Sequence, residues 1–560
     1  MDALSRSPRP RQRRFGSSRS RKGCITCRFR HTKCDEGKPA CHQCTSTGRR
    51  CDGYMPRPYS LSIARQLGQV TAMVAPAEAR ALEFFFRRSA THLAGYFGDS
   101  FWTGTVLQLS LTEPAIRNVV AAIGTLYEAK GSLSSPSPEH SPGESLALRL
   151  YNRAIRSTIE TTPTVDARTL PLQIVIRILF AALEFFRQNA SAASLHVING
   201  LTLVRLYRQH GSSRASCVEL ELVPILMSFS STTYERAALK HLAAPSREKV
   251  YFNPTDAHGR LVLPRRFSSP KESRVALLDA ILYSINAFQD LEEITRQAPL
   301  ISPALQNHVL WVAQMTQRWR VTFEDMVQRK QSTWSPADRN ACDATRLLWY
   351  SVRLGTDRHR VGSECGWDTL RAHYETIVQI AERLLGDLQH FPDEISKTIT
   401  LDTWLMYPLH VVAWKCRWPH LRRRALDLFR RIPKHEYIFY VPHYVAICSR
   451  IMDFEERSLG LNADTIPDED WLPPDTARVY DFVVAPQSTT TDTHPLYSLT
   501  LMMLPEGPEG EPAFHTEPLW LPPSPAGPTI TPFNVMKRRS WSQTGMRNQH
   551  VLDLVGGIWV

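Results

Sequence analysis

Long apolar runs are missing from this chain of 560 residues. No stretch reaches the ~18 consecutive apolar residues that a membrane-spanning helix needs. The nearest, 170–186, is interrupted by Arg177 and Glu184 and reads as a buried helix. The first residues, MDALSRSPRPRQRRF, lack the apolar stretch of a secretory leader. Strand-like alternation is scarce. Cysteine is scarce outside one short segment: Cys217, Cys342, Cys365, Cys416 and Cys448 are scattered. That scatter suggests a reducing compartment, with these five acting as small buried hydrophobes. Phosphate loops of the Walker type, H-E-x-x-H, G-x-S-x-G and the dinucleotide fingerprint are all absent. The reading is a soluble intracellular protein that is not an enzyme.

Negative charge is scarce at one end. Residues 1–60 hold 15 Lys+Arg against 4 Asp+Glu, which accounts for +11 of the net +13. The positive balance is therefore a local device, and it points to a polyanionic partner such as nucleic acid. The remainder is nearly neutral. With 43% hydrophobic residues overall, the chain can bury a sizeable core.

Composition divides the chain into five parts. Residues 1–22 form a basic arm rich in Ser, Pro and Arg, expected to be disordered. Residues 23–53 hold the clustered cysteines. Residues 54–76 read as a linker punctuated by Pro56, Pro58 and Pro76. From 77 to 460 the apolar spacing is helical: Leu82, Phe85, Phe86, Ala90, Leu93 and Phe97 recur at three- and four-residue steps. Ile116, Val119, Val120, Ile123 and Tyr127 line another helical face, which Thr112 is placed to cap. Residues 461–560 read as a loosely ordered tail rich in Pro and Thr. The expected fold is a small N-terminal cysteine module followed by a large, mostly all-α domain.

The clustered cysteines are Cys24, Cys27, Cys34, Cys41, Cys44 and Cys51, spaced C-x2-C-x6-C-x6-C-x2-C-x6-C. The half-motif C-x2-C-x6-C occurs twice. A C-x2-C pair can bring two thiolates to one tetrahedral zinc at about 2.3 Å. Two tetrahedral zinc ions need eight ligand positions, so two of six cysteines must bridge. The repeat makes Cys24 and Cys41, the first cysteine of each half, the natural bridges. His31 and His42 fall outside the repeat. A disulfide scaffold would need an oxidising compartment, which nothing in the sequence suggests.

Residues between the cysteines suit DNA. Arg28, Phe29, Arg30, His31, Thr32 and Lys33 separate Cys27 from Cys34 on what should be a short helix. The second half is less basic, with Arg49 and Arg50 before Cys51. One half is equipped to enter a groove, the other to complete the metal frame and touch phosphate.

The segment GCITCRFRHTKCDEGKPACHQCTSTGRRCDGY resembles the fungal zinc binuclear cluster (Zn2Cys6) DNA-binding domain. All six cysteines match in type and spacing, as do Arg28, Lys33, Asp35, Pro39 and Gly48. The resemblance implies two Zn2+ per chain, bridged by Cys24 and Cys41, and a first helix in the major groove at a CCG-like triplet. It places base contacts on Arg30 and His31, the latter standing where many members have Lys or Arg. A nuclear transcription factor for RNA polymerase II genes follows from it. Residues 83–128 also resemble the start of the fungal-specific transcription factor domain, an all-helical regulatory region.

Other features carry less. The basic arm resembles a nuclear import signal. Ile63, Leu67, Val70 and Val74 follow a 4-3-4 spacing, barely two heptads, and leave a homodimer as one partner state beside double-stranded DNA and a small-molecule effector or co-regulator. The clusters 422–424 and 537–539 read as solvated faces. Glu506, Glu509, Glu511 and Glu517, mixed with Phe514 and Trp520, suit either an activation segment or a plain surface loop. The rival reading is an enzyme or ligand-binding helical domain with an appended zinc module. A pocket with convergent His, Asp or Cys would favour it.

Overall fold

The computed structural model describes residues 34–35, 37, 41–47, 68, 71–72, 74–97, 101–132, 142–161, 169–210, 218–233, 251, 253–256, 260–295, 303–357, 363–388, 399–401, 405–437, 439–460, 467–486, 496–506 and 512–522. The chain divides into two compact units, 1–69 and 70–560. The arm 1–22, most of the linker, and Ile63, Leu67 and Val70 lie outside the described residues.

In the first unit the described residues include one short helix, α1 (His42–Thr45). The second unit is predominantly helical. It runs α2 (Pro76–Phe84), α3 (Ala90–Leu93), α4 (Val106–Thr112), α5 (Pro114–Ser132), α6 (Pro142–Thr161), α7 (Leu170–Phe186), α8 (Ala190–Gln209) and α9 (Val223–Thr233). It continues with α10 (Pro270–Thr295), α11 (Pro303–Lys330), α12 (Pro336–Asp357), α13 (Arg371–Leu388), α14 (Met406–Lys415), α15 (Pro419–Arg431) and α16 (Val441–Arg457). Seven of these open on proline, whose missing N–H costs nothing in a first turn. Side chains cap some of the helices as well. Asn189 Oδ1 accepts the Ala192 N–H at 3.2 Å to start α8. Ser335 and Asp338 exchange reciprocal bonds at 3.0 and 3.2 Å to start α12.

The apolar periods account for the core. Leu82, Phe85, Ala90 and Leu93 are buried, with a π turn at Phe85–Ser89 joining α2 to α3. Ile116, Val119, Val120, Ile123 and Tyr127 are buried on α5. The helix α7 spans the apolar stretch, and Glu184 within it is buried with Arg187 Nη1 on its carboxylate at 2.8 Å. Cys342, Cys416 and Cys448 are buried, Cys365 is half-buried, and Cys217 lies outside the described residues.

Three expectations need correcting. First, Thr112 does not cap α5. It is the last residue of α4, and its hydroxyl donates to the Leu109 carbonyl at 3.4 Å. The Glu113 carbonyl instead accepts the Arg117 N–H. Second, 422–424 is not one solvated face. Successive helical residues turn about 100°, so Arg422 points inward, Arg423 lies at the margin and Arg424 outward. Their side chains are 3%, 22% and 53% exposed. Residues 537–539 lie outside the described residues.

Third, the tail 461–560 is not loosely ordered throughout. Within it, β4 (Asp481–Pro486), β5 (Leu496–Met503) and β6 (Ala513–Trp520) form an antiparallel sheet. The register pairs Val483 with Thr500 and Leu499 with Glu517, and Tyr497, Leu499 and Leu501 are buried on one face. A smaller sheet, β1 (Ile399–Thr400), β2 (His435–Glu436) and β3 (Phe439–Tyr440), precedes it. The chain entering β4 is held by buried charge. Glu364 meets Lys415 Nζ at 2.7 Å and Arg417 Nη1 at 2.9 Å. Glu455 meets Arg417 at 2.8 Å and Arg422 at 2.7 Å. The same groups grip the backbone: Lys415 Nζ donates to Tyr480 O, Arg417 Nη2 to Val479 O, and Val479 N–H to Glu455 Oε1. Buried charges persist only when paired and hydrogen-bonded, and this segment completes that pairing.

Candidate metal centre and nucleic-acid interface

Three of the six clustered cysteines are described, and all three are buried: Cys34, Cys41 and Cys44. Cys41 has an extended backbone, and its carbonyl accepts the N–H groups of Cys44 and Thr45, both at 3.1 Å. That single turn carries the C-x2-C pair. Hydroxyls tighten it: Thr45 Oγ1 donates to Cys41 O and His42 O, and Thr47 Oγ1 to Gln43 O at 2.9 Å.

The first half of the repeat reaches this turn through Asp35. Its carboxylate accepts the His42 N–H at 2.9 Å and the Gln43 N–H at 3.0 Å. The Gln43 and His42 bonds hold the carboxyl down to about 2, outweighing a small desolvation effect. Sequence reasoning matched Asp35 to the family pattern but gave it no role. The available signal was an acidic residue beside a cysteine and six residues ahead of the next C-x2-C turn, close enough to serve that turn's N–H groups.

The Sγ atoms of Cys34 and Cys41 and one Asp35 oxygen lie within 4.8 Å of one another, the one such donor grouping among the described residues. Two sulfurs on a tetrahedral zinc with ~2.3 Å bonds stand roughly 3.8 Å apart. A sulfur separation within 4.8 Å is compatible with a shared zinc. Soft thiolates suit zinc, whereas Asp35 already spends both oxygens on backbone N–H groups. Cys24, Cys27 and Cys51 lie outside the described residues, as do Arg28, Arg30, His31, Lys33, Arg49 and Arg50.

Two further features among the described residues of the second unit bear on chemistry. Cys448 Sγ sits 3.4 Å from His410 Nδ1. Burial pushes that thiol up to about 12 and that imidazole down to about 3. The pair is a neutral thiol beside a neutral ring, the reverse of an activated nucleophile. A cleft of about 440 Å³ between α16 and β6 is lined by Ala446, Ser449, Arg450, Asp453, Pro518, Leu519 and Trp520. It has no His or Cys lining, and its Arg450 Nε lies 2.6 Å from Glu517. Glu517, counted above among acidic tail residues, is buried in β6 and also meets Arg457 at 3.1 Å.

A small sulfur-ligand module ahead of a helical domain is the class this arrangement defines. Residues 22–59 match the fungal Zn(2)-Cys(6) binuclear cluster domain. The N-terminal module is such a domain, which binds two zinc ions through its six cysteines. The chain is 31% identical to the aspercryptin biosynthesis cluster-specific transcription regulator atnN of Emericella nidulans, over 33% of this chain and 35% of that protein. It is 26% identical to the transcription regulator lscL of Purpureocillium lilacinum, over 33% of this chain and 49% of that protein. It is 56% identical to adhesion and hyphal regulator 1 of Candida albicans, over 6% of this chain and 5% of that protein. The chain thus spans between a third and a half of the first two relatives. No solved structure matches it. The chain is thus similar to fungal transcriptional regulators over about a third of its length, and its residues 22–59 to the fungal Zn(2)-Cys(6) cluster domain.

Proposed function

We propose that this chain is a sequence-specific DNA-binding transcription regulator that works in the nucleus on RNA polymerase II genes. Its zinc cluster reads a short GC-rich, CCG-like site in the major groove, with zinc 1 and zinc 2 bridged by Cys24 and Cys41. The match of residues 22–59 to the cluster domain carries the proposal. Three of its cysteines are buried, two of them on one turn, and this supports it. So does the basic balance of residues 1–60, since neutralising phosphates drives DNA affinity.

The roles divide by chemistry. Arg30 pairs bidentately with guanine O6 and N7, a contact worth about 1–3 kcal/mol of discrimination. His31 reads a neighbouring base through a single donor or acceptor. Arg28, Lys33, Arg49 and Arg50 anchor phosphates, which positions the module without reading sequence. The second unit is the regulatory body, where an effector or co-regulator acts. One relative is named as a biosynthesis cluster-specific transcription regulator, which makes a biosynthetic gene set a reasonable first target to assay.

Competition binding against randomised duplexes tests the assignment. Arg30→Ala should relax base preference within the triplet, and Lys33→Ala should weaken all duplexes alike. His31→Lys should tighten binding to the preferred triplet. Uniform weakening by Arg30→Ala, with altered preference in Lys33→Ala, would reverse reader and anchor. Equal affinity of the full chain for any duplex and for single-stranded RNA would overturn the function itself.

A further inference from the structure

Asp35 ties one half of the cysteine repeat to the other. It follows Cys34, the last cysteine of the first half. Its two oxygens take the N–H groups of His42 and Gln43, which follow Cys41, the first cysteine of the second half. These bonds span seven and eight residues. A first helical turn leaves its N–H groups without intrahelical acceptors, and Asp35 supplies two. It does so beside the Cys34 and Cys41 sulfurs, with the three donor atoms within 4.8 Å of one another.

We propose that Asp35 is a positioning residue for the zinc cluster: its carboxylate clamps the backbone carrying Cys41 against the backbone carrying Cys34 and so sets the sulfur separation that one zinc spans. The clamp rests on zinc being held by cysteine, and it is independent of which DNA site the module reads. It acts on the ligand backbone, not on the metal. Groups that orient metal ligands from outside typically cost ~10–100-fold in metal affinity when lost. The substitutions differ in a useful way. Asparagine keeps one accepting oxygen but turns an NH2 group toward the other backbone N–H. Glutamate keeps both acceptors on a longer arm. Alanine keeps neither.

The test uses the full-length chain loaded with zinc and free of DNA. Zinc release into excess chromogenic chelator is timed for the wild type, Asp35→Ala, Asp35→Asn, Asp35→Glu and Thr47→Ala. Thr47 braces the same turn through the Gln43 and Cys44 carbonyls, within the second half. Two zinc ions per chain should remain in every variant at the start. Release should be ~10-fold faster for Asp35→Ala and Asp35→Asn, and close to wild type for Asp35→Glu and Thr47→Ala. Wild-type release from Asp35→Ala would overturn the clamp. An equal acceleration by Thr47→Ala would reduce it to helix stability. Loss of one zinc, with an oxygen ligand in the visible spectrum of the cobalt-substituted wild type, would make Asp35 a ligand instead. If Asp35→Ala does not fold, Asp35→Asn and Asp35→Glu decide, and equal release from both would overturn the proposal.

Discussion

The two units solve the same problem with opposite materials. Among the described residues of the first, the buried apolar side chains are three cysteines and nothing larger. The second buries Phe85, Phe101, Phe185, Phe186, Phe229 and Trp319, each less than 2% exposed. Below about 40 residues a chain cannot bury enough apolar surface to stand alone, and metal supplies the difference. Above several hundred residues it can, and it can even carry a buried network of Glu364, Lys415, Arg417, Arg422 and Glu455. One unit should therefore depend on sulfur and pH-sensitive metal binding, the other on packing and ion pairing.

The widest break between the two comes from removing zinc. Chelation of the full chain at neutral pH should extract two zinc ions and lower affinity for its preferred duplex by at least ~100-fold. The far-ultraviolet helical signal and the main thermal transition should stay, because the described helices of the second unit hold no zinc ligand. A helical signal that collapses with the metal would mean the two units share their stability.

The converse break is Glu455→Ala. Burial alone would raise this carboxyl, but Arg417 and Arg422 outweigh it and hold it down to about 2. Losing it leaves the buried Arg422 without a carboxylate and Arg417 with Glu364 alone, and breaking a buried pair this way costs roughly 3–5 kcal/mol. The sign with pH follows. A carboxyl lowered on folding gives its full stability above the ordinary range near 4.5 and loses it as pH falls from there through about 2. Denaturant melts between pH 7 and 3 should show a steeper acid loss in the wild type than in Glu455→Ala. Zinc content should be unchanged. Parallel pH curves would remove Glu455 from the account.

These two units were also legible in different ways. The metal module could be read from spacing once the lack of any sign of an oxidising compartment set disulfides aside, because C-x2-C-x6-C repeated twice is a chemical instruction. Its clamp left only a faint trace, an acidic residue beside Cys34 and six residues ahead of the second C-x2-C turn, because Asp35 acts through backbone N–H groups that sequence does not display. In the second unit the helical faces of Ile116–Tyr127 and the apolar stretch 170–186 were plain from periodicity. The sheet 481–520 was missed for a physical reason. The alternation Tyr497, Leu499, Leu501 is only three inward positions long, and it sits in a Pro- and Thr-rich stretch whose composition argues for a loop. What orders the sheet is distant: the Glu455 and Arg417 side chains that hold residue 479. The inward turn of Arg422 was missed for the same cause, because its partner lies 33 residues away.

Gly124→Ala sharpens the packing half of the comparison. Alanine normally favours a helix by about 1 kcal/mol over glycine. Here an added Cβ would stand 2.2 Å from the Ala81 carbonyl oxygen and 3.2 Å from Phe85 Cβ. Backbone, not a flexible side chain, must yield, so α2 would have to move off α5. The substitution should destabilise by roughly 1–3 kcal/mol, inverting the propensity. Thermal unfolding read against an exposed helical site such as Gly386→Ala, whose Cβ would meet nothing within 4 Å, checks it. Equal shifts at both sites would mean the close approach is not rigid.

The smallest effect separates burial from charge within one helical turn. Arg422 and Arg424 are both on α15, both pair with glutamate at 2.7 Å, and differ chiefly in exposure. Arg424 meets Glu382, and the two side chains are 53% and 39% exposed. In water that attraction is screened, and the entropy of holding two long side chains offsets most of it. Both Arg424 donors converge on one oxygen, Oε1, so the pair also lacks the parallel two-bond geometry that strengthens such contacts. A double-mutant cycle of Arg424→Ala with Glu382→Ala should return a coupling below about 1 kcal/mol that fades in high salt. The same cycle at Arg422 and Glu455 should return several times more and resist salt, because water and ions do not reach it. If the exposed pair coupled as strongly as the buried one, distance would govern these contacts and burial would not.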